Sequence, residues 1–578
     1  MHIDPTAVAS SWLRRFSSSL ALLDLPQTAS CIHENGFLRD ILVFSWSNRT
    51  LAGPAKIIAY LDNARPAAAA IASVKLDTRM YLTPQFDAGT TSVSSGFTFE
   101  SAMGPGDGYF SITPEATTGE WRAMSVFMML KDLRGHEEAG AEEGVYGGHT
   151  MAWEDIIRER RARIERDPYV LIVGAGQTGL NMAARFKQMD IPTLIVEKNV
   201  HIGDNWRQRY PTLTLHTVKN FTELLYHPYP KTWPIFAAKD KVGQWLQQYA
   251  ESDDLVVWTS SYLLPTPTYD TVSKRWTVVI SREGTPITIH PAHIVLAAGI
   301  MGAPHYPTVR DPGRFPGITF HAVHYRGGAP FSGQRVIVVG AGNSSADICQ
   351  DLVVQGAASV TMVQRSSTCV VSVDTFRRAT ERARPEGMAT DVADFLGQVT
   401  PYLLKKRLLS AREKEAWEAE RETHRGLREA GLKLNMGPDG AGNYALVRER
   451  FGGYWLDVGC AKLIQEHKVL IKQGVEPARF TEDSLIFTDG SALPADVVIY
   501  ATGYENIRDN MRALFGDRVI DQTSPVWGVD EEGETNGCYR ASGYPGLWFT
   551  GGNFAFSRFG SKQAALQIKA IQLGLYEQ

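Results

Sequence analysis

The chain is poor in cysteine, with only five among 578 residues: Cys31, Cys349, Cys369, Cys460 and Cys538. The number is odd, and no two stand in a CxxC or CxxxxC spacing. This excludes a disulfide framework and a close-pair redox centre. No Cys/His spacing suits structural zinc, so no metal is expected. Net charge is also small, −4, which gives no reason to expect a nucleic-acid partner. The one dense basic run, Ile156–Asp167, is interleaved with Glu and Asp and reads as a solvated helix. No apolar run approaches the about 20 residues that a membrane-spanning helix needs. The N-terminus lacks the basic-then-apolar order of a signal peptide, and the C-terminus carries no anchor or peroxisomal tripeptide. The expectation is a cytoplasmic protein with neither a membrane nor a nucleic acid as partner.

A chain of this length predicts three or four domains at about 150 residues each. It contains no short-period repeat, yet one pattern occurs twice. Tyr169–Phe186 and Arg335–Leu352 each run from a buried apolar strand through a Gly-rich turn into an amphipathic helix. The first copy starts so late that an independent unit must precede it. There the pattern is helical at first. It then alternates as strands do over Thr91–Glu100, Gly108–Glu115 and Glu120–Leu133, which predicts an α+β domain over residues 1–135. Residues 136–168 read as a Gly- and Glu-rich linker and the charged helix. Residues 374–430 read as an exposed helical insert.

The two Gly-rich turns are written differently. In the first, Gly174 permits a tight turn and Gly176 lets a pyrophosphate approach the backbone. Gly179 brings the helix close to the strand, with Gln177 and Thr178 between them. The helix N-terminus adds N–H donors and partial positive charge. The next strand ends in Glu197 and Lys198. A carboxylate at 197 accepts from both ribose hydroxyls and repels a 2′-phosphate, so this turn selects FAD or NAD over NADP. The second turn has Gly340 and Gly342, then Asn343 and Ser344, with Ser345 where a third glycine would stand. The following strand ends in Arg365, Ser366 and Ser367, which can pair with a 2′-phosphate, so this site selects NADPH. An FAD-like site followed by an NADPH-like one predicts a flavoprotein reduced by NADPH.

Phe315-x-Gly317-xxx-His321-xxx-Tyr325 lies between the two turns, Ile499–Asn506 reads IYATGYEN, and His201–Asn220 follows the ribose acid. On these motifs Tyr169–Gln578 resembles the flavin-containing monooxygenase family. Residues 1–135 are similar to the SnoaL/NTF2-like extension carried by long fungal and bacterial members. The resemblance implies an α/β fold with two Rossmann-like dinucleotide-binding domains behind an NTF2/SnoaL-like α+β domain. It divides the chain into residues 169–325 for FAD, 326–470 for NADPH, and 471–578 returning to FAD.

The resemblance implies a monooxygenase, similar to N,N-dimethylaniline monooxygenases. It would use FAD and NADPH to insert one atom of O2 into a small organic substrate through a C4a-(hydro)peroxyflavin. N- or S-oxygenation, Baeyer–Villiger oxidation and oxidative decarboxylation all stay open. So does an NADPH oxidase or reductase that passes electrons to a quinone or another acceptor. In the family's Gly-Gly-x-Trp loop this chain has Gly203-Asp204-Asn205-Trp206, with Trp206 expected to pack against flavin. His216 matches the position of a polar group near the flavin C4a. Asn553 and Ser557 are expected near the flavin ring, and Thr502 and Gly503 at the second cofactor. His321 is expected to orient rather than to transfer protons, and Gly317 to allow a bend. The N-terminal domain is expected to serve as a lid or to form a homodimer.

Overall fold

The computed structural model describes residues 3–578. The opening helix, Pro5–Ala21, is started by Asp4, whose side chain accepts from the N–H groups of Thr6 and Ala7. Proline at its first position fits the fixed φ that the first turn requires. Its apolar face, with Trp12, Leu13, Phe16 and Leu20, is buried; Trp12 lies 4.5 Å from the ring of Phe110. The sheet beneath has seven strands. Six run in the spatial order 48–52, 32–41, 121–130, 105–114, 92–100 and 72–76, and 85–87 also pairs with 92–100. All pairs are antiparallel except 32–41 with 121–130. The α+β expectation and the three expected strands are therefore found, with ends shifted by a few residues.

Two five-stranded parallel sheets follow. The first has the order 257–258, 193–196, 170–173, 293–296, 547–549, and the second 318–321, 497–500, 335–339, 359–364, 469–473. Strands such as Val170–Val173 and Val336–Val339 are uniformly apolar because helices cover both faces of a parallel sheet. The pairing corrects the expected division of the chain. Ile318–His321 and Val497–Tyr500 both belong to the second sheet, so residues 305–325 and 471–500 are part of the second domain. A small antiparallel sheet of 477–480, 484–487 and 492–494 sits between two strands of that domain. This short antiparallel segment hid the final parallel strand.

The insert is not a single exposed helix. It holds helices Val373–Ala383, Thr390–Leu396, Tyr402–Ser410, Glu413–Ala419 and Arg421–Glu429. Phe395 is buried against Tyr109 and Phe127 of the N-terminal domain. Asp394 is buried with Arg384 and Arg558. The linker is likewise tied down. Glu138 contacts Arg185, Lys562 and Tyr226. Burial alone would raise its carboxyl, but the two cations outweigh burial and lower it to about 2.

Candidate functional site

The first turn has the geometry its residues imply. Gly174 has φ +107°, and a Cβ there would come 2.8 Å from the Ala297 carbonyl. A Cβ on Gly179 would lie 2.0 Å from the Gly174 oxygen, while one on Gly176 would meet only Asn205 Nδ2 at 3.6 Å. Gly176 thus leaves free the space in front of helix Gln177–Gln188, and Thr178 is buried behind it. Glu197 is buried at the end of its strand. Its Oε2 accepts from the Ala175 N–H at 2.8 Å, and its Oε1 from the Asn199 N–H and side-chain amide. Lys198 points to solvent.

Gly203 has φ +90°, and a Cβ there would lie 2.2 Å from Gly243 O. The second glycine of the family loop is not required at 204. Asp204 opens the short helix Asp204–Arg207 and accepts from the His201 N–H, with Arg207 3.1 Å away. Trp206 is 6.4 Å from Phe554, and its buried Nε1–H has no partner.

The second turn repeats the plan. Gly340 has φ +126°, and a Cβ there would lie 2.3 Å from Ala501 O; at Gly342 it would meet nothing nearer than 3.8 Å. Ser345 is completely buried, and its hydroxyl has no partner. Asn343 is committed elsewhere: its Oδ1 accepts from the Leu456 N–H and ties strand Tyr454–Asp457 to the helix start. A cavity of about 680 Å³ opens before this turn, lined by Ser344, Arg365, Ser366, His321, Thr502 and Gly503 among others. Arg365 is exposed and meets Glu476 Oε1 at 3.1 Å. Glu476 and Tyr306, which also line the cavity, were missed in the sequence. Nothing in their spacing marks them, because they arrive from loops of other strands.

The Phe315–Tyr325 segment belongs to the second domain. Phe315 stacks on Phe480 at 4.9 Å, and the buried Tyr325 donates to Asp351 at 2.6 Å. Gly317 sits at a bend just before strand Ile318–His321. Its value is the missing side chain, since a Cβ would come 2.4 Å from Asp496 O. His321 is buried, and its Nδ1 accepts from the Val323 N–H. Its other nitrogen therefore carries the proton and donates to Gly503 O at 3.0 Å. Burial lowers the pKa of this imidazole, so it stays neutral at pH 7. Thr502 donates to His305 O, and Gly503 has φ +83° with open space where a Cβ would stand.

A family model described as flavin-binding monooxygenase-like matches residues 168–507, over half of the chain. The chain belongs to this family. The match begins where the N-terminal α+β domain has ended. Among the relatives of this flavin-dependent monooxygenase is the indole-3-pyruvate monooxygenase YUCCA8 of Oryza sativa subsp. indica. It is 30% identical over 395 residues, which cover 65% of this chain and 82% of the relative. The probable indole-3-pyruvate monooxygenase YUCCA9 of Arabidopsis thaliana is 27% identical over 410 residues, 69% of this chain and 85% of that one. The solved structure of OTEMO in complex with FAD and NADP covers 71% of this chain and 86% of its own, with a TM-score of 0.50 and 16% identity; it shares the fold. Relatives of this kind use FAD and NADPH.

Three of the residues singled out in the sequence have partners within the chain. His216 is not a free polar group: its Nε2 lies 3.4 Å from Asp347 Oδ1, across the domain boundary. Tyr210 donates to the other oxygen of Asp347, and all three line a separate cavity of about 610 Å³. Asn553 caps helix Phe554–Gln572, its Oδ1 accepting from the Phe556 N–H at 2.9 Å. Ser557 is fully buried and accepts from Asn181, joining that helix to the one after the first turn. Among the described residues no helix is long and apolar enough to cross a membrane.

Proposed function

We propose that the protein is an NADPH- and FAD-dependent monooxygenase that transfers one atom of O2 to a small organic substrate. One observation carries this reading. Two Gly-rich helix starts of unlike chemistry, one beside Glu197 and one beside Arg365, open parallel-sheet domains that are connected by the paired strands Met301–Pro304 and Tyr504–Asn506. The open space at Gly176 and the partnerless Trp206 Nε1–H suit a flavin nucleotide. The open space at Gly342 and the cavity lined by Ser344, Arg365 and Ser366 suit NADPH.

FAD supplies, when bound, the redox chemistry that activates oxygen. The chain's own residues bind and orient. The N–H groups after Gly176 face the pyrophosphate, Glu197 accepts from the ribose, and Asn205 borders the turn. Arg365 exchanges Glu476 for the 2′-phosphate, with Ser366 and Ser344 as further donors. His321 stays neutral and fixes the Gly503 carbonyl rather than moving a proton. The N-terminal helices on a mainly antiparallel sheet support the SnoaL/NTF2-like assignment for that domain.

The test supplies NADPH and ¹⁸O₂ with a panel of amines, thioethers and α-keto acids. The expected result is a product carrying one ¹⁸O, formed only with its substrate. Hydrogen peroxide or reduced quinone formed in step with NADPH, whatever substrate is present, would establish the oxidase or reductase instead.

A further inference from the structure

Trp527 adopts φ +67°, a backbone region that bulky side chains rarely occupy. Strain of this kind persists where the surroundings over-determine it. The Trp527 ring stands edge-on to Phe556 at 5.6 Å and to Phe451 at 5.5 Å. Its Nε1–H donates to Val447 O at 2.9 Å, and a Cβ on Gly552 would come 3.2 Å from its ring. Phe556 lies on the first turn of helix Phe554–Gln572, beside Gly551–Asn553. Phe451 lines the cavity before the second Gly-rich turn. One indole therefore joins the wall of the second cleft to the helix whose first residue, Phe554, lies 6.4 Å from the ring of Trp206.

Trp527 starts a hairpin in which Val529 pairs with Thr535 and Asp530 accepts from the N–H groups of Glu532 and Glu534. The N-terminal domain grips this hairpin. Arg39 donates to both oxygens of Glu534, at 2.6 and 2.8 Å, with side chains only 7% and 4% exposed. Thr50 donates to Glu534 at 2.6 Å. The Arg39 guanidinium also reaches the Gln398 carbonyl of the insert. Arg49 holds Glu532 nearer the surface, and Arg540 donates to Ser47 and to the Asn48 carbonyl. A buried pair adds little net stability over apolar packing, because desolvation offsets the attraction. Its bidentate geometry specifies position.

We propose that the N-terminal domain braces the flavin site from behind, with Arg39, acting through Glu534, as a positioning residue for Trp527. The proposal rests on the flavin placement given under Proposed function.

The test uses the full-length holoenzyme. Arg39→Met/Glu534→Met removes both charges and leaves none buried alone; Trp527→Phe alters the contact itself; Arg49→Met loosens only the outer pair. Far-UV circular dichroism checks folding. FAD dissociation constants come from fluorescence titration, and the visible spectrum of bound flavin reports its surroundings. The double variant is expected to bind FAD at least tenfold more weakly. Its flavin spectrum should shift in the same sense as that of Trp527→Phe, while Arg49→Met stays within twofold and unshifted. A folded double variant within twofold of the parent and with a superimposable spectrum would overturn the proposal, as would an unshifted Trp527→Phe. If the double variant does not fold, Arg39→Lys takes its place: weaker binding with a shifted spectrum supports the proposal, and parental values overturn it. A parent that binds no flavin would refute the functional reading instead.

Discussion

Replacing Gly176 by alanine should separate folding from cofactor binding. Gly176 has φ −78°, which alanine adopts freely, and its added methyl would meet only Asn205 Nδ2 at 3.6 Å. Losing a glycine at a helix N-cap costs some tenths of a kcal/mol, and reducing the freedom of the unfolded chain returns about 0.4–1 kcal/mol. The apoprotein should therefore melt close to the parent. The methyl nevertheless occupies the approach to the helix N–H groups. Loss of one charge-assisted hydrogen bond to a pyrophosphate costs about 1.5–3 kcal/mol, a weakening of roughly ten- to 150-fold. Gly179→Ala should do the opposite. Its Cβ would lie 2.0 Å from the Gly174 oxygen, forcing helix and strand apart at about 1–3 kcal/mol. Titration of apoprotein with FAD and thermal unfolding of apoprotein read the two effects. Binding by Gly176→Ala within threefold of the parent would refute the placement of the pyrophosphate. A Gly179→Ala apoprotein as stable as Gly176→Ala would refute the close-packing argument.

At the second cleft, Arg365→Ala should lower kcat/KM for NADPH by roughly ten- to 100-fold and leave NADH nearly unchanged; equal losses would show that Arg365 does not read the 2′-phosphate. Glu534 is lowered from 4.5 to about 2, burial being outweighed by Arg39 and Thr50. A depressed carboxyl stabilises above its unfolded value, so about 3 kcal/mol should be present above pH 4.5 and lost as pH falls through 2. Urea midpoints of the parent should fall across that window more steeply than those of Arg39→Met/Glu534→Met. Asp394 neutralises Arg384 and Arg558 in a buried cluster, so Asp394→Asn should cost about 3–5 kcal/mol in denaturant unfolding. Replacing Arg384 by Met as well should restore part of it. His321→Ala should raise the KM for NADPH without moving the pH profile of kcat, because both ring nitrogens are taken up by the Val323 N–H and the Gly503 carbonyl; a displaced profile would make it an acid or base.

Features governed by local rules were legible in the sequence. The strand, Gly-rich turn and helix of each nucleotide site depend on steric demands within a dozen residues, and all three of Gly174, Gly179 and Gly340 meet the backbone that makes them necessary. The places of Glu197 and Arg365 just past strand ends were legible too. The domain boundary was not legible, because membership of Val497–Tyr500 in the second sheet is decided by pairing with distant strands. The intramolecular partners of His216, Asn553 and Ser557 were not legible either, since a polar side chain looks the same in sequence whether it faces a cofactor, caps a helix or meets Asp347. The hairpin at Trp527 and its anchor Arg39 lie far apart along the chain, and no periodicity links them.

The two passages of the chain between its parallel sheets run side by side. Met301–Pro304 leaves the first sheet, Tyr504–Asn506 returns to it, and the pair forms a two-stranded antiparallel ribbon. A single connecting strand would act as a tether, about which one body could swing in any direction. A paired ribbon resists shear and separation of its strands but yields to twist and to bending across its thin dimension. It therefore behaves as a strap hinge with few soft directions. Any widening of the nucleotide cleft to admit or release a dinucleotide would be a turn about that ribbon, with the Thr502 and Gly503 contacts nearest the pivot moving least and the rim at Arg365 travelling farther.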